Sequence, residues 1–300
     1  MALRARVARS QDGEALGLRA PERKAAAVEA RTEAPVDLPP LRWWRELLAI
    51  AGFYAVYSFT RSIQGKDSTV KNFHELAEAR RRAGSVIELE RALHIFHERT
   101  IQSWFLGWHL FLQLCNLYYG LVHFAATLIV LLWLFLRHPE HYRRWRWVLA
   151  FSTALALIGF FAYPLAPPRL LPEALDQCRR AFVDTIDCFG SLWTFESGPV
   201  AKVSNQFAAM PSLHFAWSSW CAFAASGAVR RRWAKVAWAA YPFLTLFAIV
   251  VTGNHFFLDA VGGAVVFALG YLLGVTVSRH LDGWYRRRHA DDAGEVELTA

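Results

Sequence analysis

The sequence predicts an all-α, polytopic membrane protein with six transmembrane helices and an amphipathic helix at the extracytoplasmic interface. Three observations predict it. Of 300 residues, 55% are hydrophobic and only 19% charged, and the mean hydropathy is +0.20. The apolar residues fall into blocks, each close to the roughly 17–25 residues that cross a bilayer. Arginines and tryptophans collect at the block ends, as topology signals and interfacial belts do. That distribution assigns the formal charge of +8 to membrane orientation and headgroups and argues against nucleic acid as a partner.

The elements follow in chain order. Residues 1–42 are rich in Ala, Arg and Glu, carry Pro35, Pro39 and Pro40, and lack the early apolar core of a secretory signal; they read as a disordered cytoplasmic tail. Residues 43–278 form the membrane domain, with apolar segments at about 47–63, 117–136, 147–163, 211–229, 236–252 and 256–277. Residues 279–300 are a second, C-terminal cytoplasmic tail. Trp43, Trp104, Trp108, Trp233 and Trp284 sit near segment ends.

Orientation comes from the connections. Arg137, Arg143, Arg144 and Arg146 follow the second segment, Arg230, Arg231, Arg232 and Lys235 the fourth, and Arg279 with arginines 286–288 the sixth. Six spans put all of these on one side, the cytoplasm, together with both termini of a multi-pass protein of the cell membrane. Residues 61–99 are also basic yet fall outside, balanced by Glu75, Glu78, Glu88, Glu90 and Glu98. There Val86, Leu89, Leu93 and Phe96 recur at helical spacing among charges too dense for hydrocarbon, which predicts a helix on the outer surface. It either roofs a site or packs on the bundle without a substrate role.

The outer loop 164–206 holds Cys178 and Cys188 in a compartment where disulfides persist, and a bridge between them is the favoured reading. Cys115 and Cys221 lie in apolar stretches and read as core packing. No metal or cofactor is expected, and the lack of a Cys-x-x-Cys pair speaks in particular against a structural zinc.

Two histidines carry the chemical signal. His214 and His255 open the fourth and sixth segments, where an ionisable group needs a reason to exist. Asp259 follows His255 by four residues, one helical turn away on the same face. A lone histidine in an apolar run is ordinarily a buried hydrogen-bonding residue. Two at matched depth, one paired with a carboxylate, point instead to chemistry. The carboxylate would fix the His255 tautomer and steady the cation formed on attack, while His214, with no carboxylate at matching spacing, suits a general acid. Free amides at both helix starts would favour a phosphate between them. Arg169 and Ser212 are the candidate phosphate ligands. Tyr119 and His123 share one face and either line the pocket or pack in the core; Asn205 and Asn254 receive no role.

The segments Ala166-Pro167-Pro168-Arg169, Pro211-Ser212-Leu213-His214 and His255-x-x-x-Asp259 together resemble the type 2 phosphatidic acid phosphatase superfamily. The look is nearest to the branch related to fungal inositol phosphorylceramide synthase, an inositolphosphotransferase, over roughly residues 41–277. The resemblance implies a six-helix bundle with a metal-free extracytoplasmic site, His255 as the nucleophile forming a phosphohistidine, Asp259 as its orienting partner and His214 as the general acid. The main phosphatase branch has glycine where Leu213 stands, lysine at Ala162 and arginine at Ile249. Two of its phosphate cations are therefore missing, which favours a phosphodiester lipid over a diphosphate or compact monoester. The inositolphosphotransferase branch shares that loss.

The expected function is cleavage of a membrane-lipid phosphoester, with the phosphoryl group passing to water or to a lipid or polyol hydroxyl. The residues leave that acceptor open, and the oligomeric state with it. The alternatives are a polyprenyl or diacylglycerol (di)phosphate phosphatase and, from other classes, a non-catalytic transporter or a bis-histidine haem protein.

Overall fold

A computed structural model of the chain describes residues 41–64, 69–171, 182–190 and 207–298. Most described residues are helical and none forms a strand. We number the helices α1 (Trp43–Gln64), α2 (Thr69–Ala92), α3 (Glu98–Phe105), α4 (His109–Leu117), α5 (His123–Arg137), α6 (Pro139–Ala162), α7 (Thr185–Phe189), α8 (Leu213–Ala228), α9 (Arg232–Val251) and α10 (Phe257–Leu298). A π-helical turn, Tyr118–Val122, joins α4 to α5. The chain divides into two compact units, one comprising Leu41–Leu281 and the other Met1–Pro40 with Asp282–Ala300. Within the second, Arg288 lies over the Trp284 ring. The first contains everything that follows.

Four stretches are long and apolar enough to cross a membrane: His109–Arg137, Pro139–Ala162, Arg232–Val251 and Phe257–Arg288. The other two expected segments, α1 and α8, are helical but are not among these four. At 16 residues, α8 is about 24 Å long at 1.5 Å per residue, short of a bilayer core. Its place in the bundle explains its composition. Ala216, Trp220, Cys221, Ala224 and Ala225 are buried against Val130 and Leu134 of α5, Tyr142, Trp145 and Val148 of α6, and Phe267 and Val275 of α10. A helix enclosed on several sides must be small and apolar around most of its circumference. The outward faces of the long helices are oily: Leu110, Ile129, Phe243 and Leu272 are each more than 60% exposed, which suits lipid as solvent.

Close packing of α10 on α6 uses small residues, as is usual where lipid removes the hydrophobic drive between helices. A side chain at Gly274 would put its Cβ 2.5 Å from the Val148 amide nitrogen, and one at Gly270 would collide with Ser152. Glu46 ties α1 to α6 by accepting from Tyr142 Oη at 2.9 Å and from Arg146.

Helix α2 packs on the loops that carry the motifs. Its buried stripe is Ala79, Ala83 and Val86, set against Leu165, Ala166, Ala209 and Phe256. Of the stripe expected from the sequence, Val86 is buried and Phe96 packs partly buried against the same cluster, whereas Leu89 and Leu93 are 51% and 53% exposed. Small side chains let the helix backbone approach a loop, and Glu90 completes the buried face with no exposed surface. The helix thus lies against the site-bearing loops. Cys188 is disulfide-bonded; Cys178, its expected partner, and Asn205 fall outside the described residues. Cys115 and Cys221 are free and buried, as core packing requires.

Candidate functional site

Three loops converge. After α6 the backbone leaves the helix at Tyr163, and its next residues are pinned in turn: Leu165 N–H donates to Phe207 at 2.8 Å, Ala166 N–H to Ala79 at 3.2 Å and Arg169 N–H to Gly253 at 2.9 Å. After α9, Gly253 adopts φ +70°, the left-handed conformation that closes helices. The amides of Asn254 and His255 then fold back onto the Ile249 carbonyl. A side chain at Gly253 would also press on Gln102 Nε2, so glycine serves here for both conformation and space. The third loop, 207–212, passes over α10 where Gly262 and Gly263 leave room: a Cβ at Gly263 would stand 2.5 Å from the Ser212 carbonyl oxygen.

This convergence brings His214, His255 and Asp259 together. The His255 and Asp259 side chains are 4% and 0% exposed, and Nδ1–H of His255 donates to Asp259 Oδ2 at 3.1 Å. Among the described residues His255 Nε2 forms no hydrogen bond, so the uncommitted lone pair is the one facing away from the carboxylate. The His214 ring lies 5.6 Å from that of His255, centroid to centroid, at 60°. Its other faces meet Tyr119, stacked at 4.2 Å, and His123 at 5.0 Å. Among the described residues, the buried Nε2 atoms of both His214 and His123 lack a hydrogen-bond partner.

Arg169 is 4% exposed and held firmly: Nη1 donates to Asp184 Oδ2 at 2.8 Å and Nε to Asn254 Oδ1 at 3.0 Å. Asn254 is steadied in turn by donating to Thr252 Oγ1 at 2.9 Å. The guanidinium thus sits beside the residue preceding His255, and its charge reaches Tyr119, the ring stacked on His214. Ser212 is fully buried and caps α8, its hydroxyl accepting from the Phe215 amide at 3.4 Å. Its own amide donates to the Asp259 carbonyl at 2.8 Å, which leaves the hydroxyl proton as the group it can offer an anion.

One expectation needs correction. The amides opening α10 are not free for a phosphate. Phe256 N–H donates to Asp259 at 2.9 Å, Phe257 N–H to Glu98 at 2.9 Å and Leu258 N–H to Glu90 at 2.7 Å. Carboxyl groups already occupy the positive end of this helix, the place an incoming anion would seek.

The sequence missed Glu90, Glu98, Asp184 and Asn254, all buried and all bonded to residues distant along the chain. A signal existed only for Asn254, through adjacency to His255. The π-turn, a local overwinding that recurs at functional sites, places Tyr119 and His123 against His214. Tyr119 and His123 therefore both pack against the His214 ring.

Four helices long and apolar enough to cross a membrane, with paired imidazoles, a buried carboxylate partner and a fixed guanidinium brought together by the connecting loops, define the class as a helical membrane protein with a buried polar cluster. The chain belongs to the PAP2 superfamily, which it matches over residues 84–273. Members are usually phosphatases or phosphotransferases, and membership suggests a membrane phosphatase-type enzyme. No curated protein and no solved structure matches the chain.

Proposed function

We propose that the protein cleaves a membrane-lipid phosphoester by attack of His255 on phosphorus, through a phosphohistidine, at the extracytoplasmic face of a six-span bundle. The observation that carries this reading is the His255–Asp259 hydrogen bond of 3.1 Å with the His214 ring 5.6 Å away. Asp259 holds the proton on Nδ1, so Nε2 is the nucleophile, and its charge steadies the imidazolium that attack creates. His214 protonates the departing alkoxide, and Arg169 with the Ser212 hydroxyl neutralises charge on the equatorial oxygens. Water or a lipid or polyol hydroxyl then displaces the histidine, regenerating the enzyme.

The substrate class follows from charge. Ile249 is fully buried where the main phosphatase branch carries arginine, and Ala162 replaces its lysine. With Asp184 neutralising much of Arg169, a phosphodiester with one negative charge is accommodated more cheaply than a dianionic monoester. An inositol phosphorylceramide synthase-like phosphotransfer fits that preference. The test is incubation of purified protein with labelled phosphodiester and phosphomonoester lipids, with and without polyol or ceramide acceptors. Acid-labile label on the wild type, absent from His255→Ala, is expected; undiminished turnover by His255→Ala overturns the assignment.

A further inference from the structure

Three consecutive amides at the start of α10 donate to three different carboxyl groups, Asp259 on α10 itself, Glu98 on α3 and Glu90 on α2. None of the three carboxyl side chains has exposed surface. A helix N-terminus favours negative charge, but only modestly. Three buried carboxylates around one turn would cost more than that gain, through desolvation and mutual repulsion.

The arrangement carries its own remedy. The Glu90 and Glu98 carboxyl groups meet at the amides of two adjacent residues, Leu258 and Phe257. Two ionised carboxylates only accept and repel each other, so a pair buried at adjacent amides calls for a proton between them. Their Oε1 atoms are taken by the α10 amides, and their buried Oε2 atoms have no hydrogen-bond partner among the described residues. The titratable groups acting on Glu90 are Glu98 and Asp259, both acidic. Burial first, and these two neighbours after it, push the Glu90 carboxyl up to about 9.

Resting on the reading of His255 as nucleophile, we propose that Glu90 and Glu98 are positioning residues that share one proton: the pair clamps the first turn of α10, and with it the His255–Asp259 couple, while the proton keeps surplus negative charge away from an incoming phosphoester. Loss of that proton adds a charge next to Asp259. The added charge repels an anionic substrate, yet it does not oppose the cationic phosphohistidine. KM should therefore rise on the alkaline side while kcat holds.

The experiment uses the full chain in lipid nanodiscs, as wild type, Glu90→Gln and Glu90→Ala, with phosphatidic acid and phosphatidylinositol as probes. Glutamine keeps an oxygen for the Leu258 amide and donates to Glu98, but it cannot ionise. Glu90→Gln should lose no more than about tenfold in kcat/KM and show a KM flat with pH, whereas Glu90→Ala, which strands a buried amide, should lose about a hundredfold or more. Infrared spectroscopy gives a readout independent of turnover: the wild type should show the C=O stretch of a buried protonated carboxyl at neutral pH, absent from Glu90→Gln. Turnover without that band, or a wild-type alkaline rise of KM retained in Glu90→Gln, overturns the carboxyl pair. The band without turnover of either probe overturns the phosphoesterase reading and leaves the shared proton in place.

Discussion

The backbone amide of Ser212 donates to the carbonyl of Asp259 at 2.8 Å, so the turn that launches His214 and the turn that carries Asp259 move as one unit. That contact exists because Gly263 leaves the Ser212 carbonyl its space. Gly263→Ala should push the 207–212 loop off α10 and part the two imidazoles. A fall in turnover of tenfold or more is expected with helix content by circular dichroism unchanged, since misplacement by about 1 Å can cost on the order of a hundredfold.

Asp259→Asn keeps the shape of the carboxylate and removes its charge. The amide no longer fixes the Nδ1–H tautomer, so a loss of roughly 10²–10⁴ in kcat is expected, with lipid binding retained. Stopped turnover with trapping of label on His255 measures it; a variant as fast as wild type would remove Asp259 from the mechanism.

Arg169 and Asp184 form a buried pair, and breaking it leaves a lone charge. Arg169→Ala should destabilise the fold by about 3–5 kcal/mol. Arg169→Ala with Asp184→Ala should recover much of that thermal stability but none of the activity. Scanning fluorimetry alongside a turnover assay separates the two effects.

Stability should also depend on pH through Glu90. Its carboxyl titrates from about 4.5 in the unfolded chain to about 9 when folded, so the native state binds the extra proton across that range. The contribution is fully present below the unfolded value and is lost as pH rises through the folded one. The apparent Tm in nanodiscs should decline between these limits, and Glu90→Gln should flatten the decline.

Packing between α6 and α10 rests on Gly270 and Gly274. Gly274→Val forces a side chain against the Val148 backbone and should cost about 1–3 kcal/mol, with Gly270→Val similar. Earlier loss of the monodisperse peak on heating, followed by size-exclusion chromatography, is the measurement.

How much of this was written in the chain depends on the range of each interaction. His255 and Asp259 were legible because a helix fixes the distance between residues four apart, and the hydrogen bond appears at 3.1 Å. The superfamily was legible because its motifs are short and contiguous, and the match over residues 84–273 agrees. The buried stripe of α2 was misread because hydrophobicity alone pointed to Leu89 and Leu93, which face outward, while alanines and a glutamate face in. Glu90 and Glu98 read as solvated charge, since nothing near them in sequence announces the amides of Phe257 and Leu258.

The sequence by itself determined the solvent of this protein, its helical class, its superfamily and the paired groups one turn apart, because composition and periodicity act locally along the chain. Only the tertiary structure decided which charges are buried, which amides remain for a ligand and which residues hold Arg169 and His255 in place. Those outcomes depend on loops from distant segments meeting at small residues such as Gly253 and Gly263, where burial turns an ordinary carboxyl or amide into one that must find a partner.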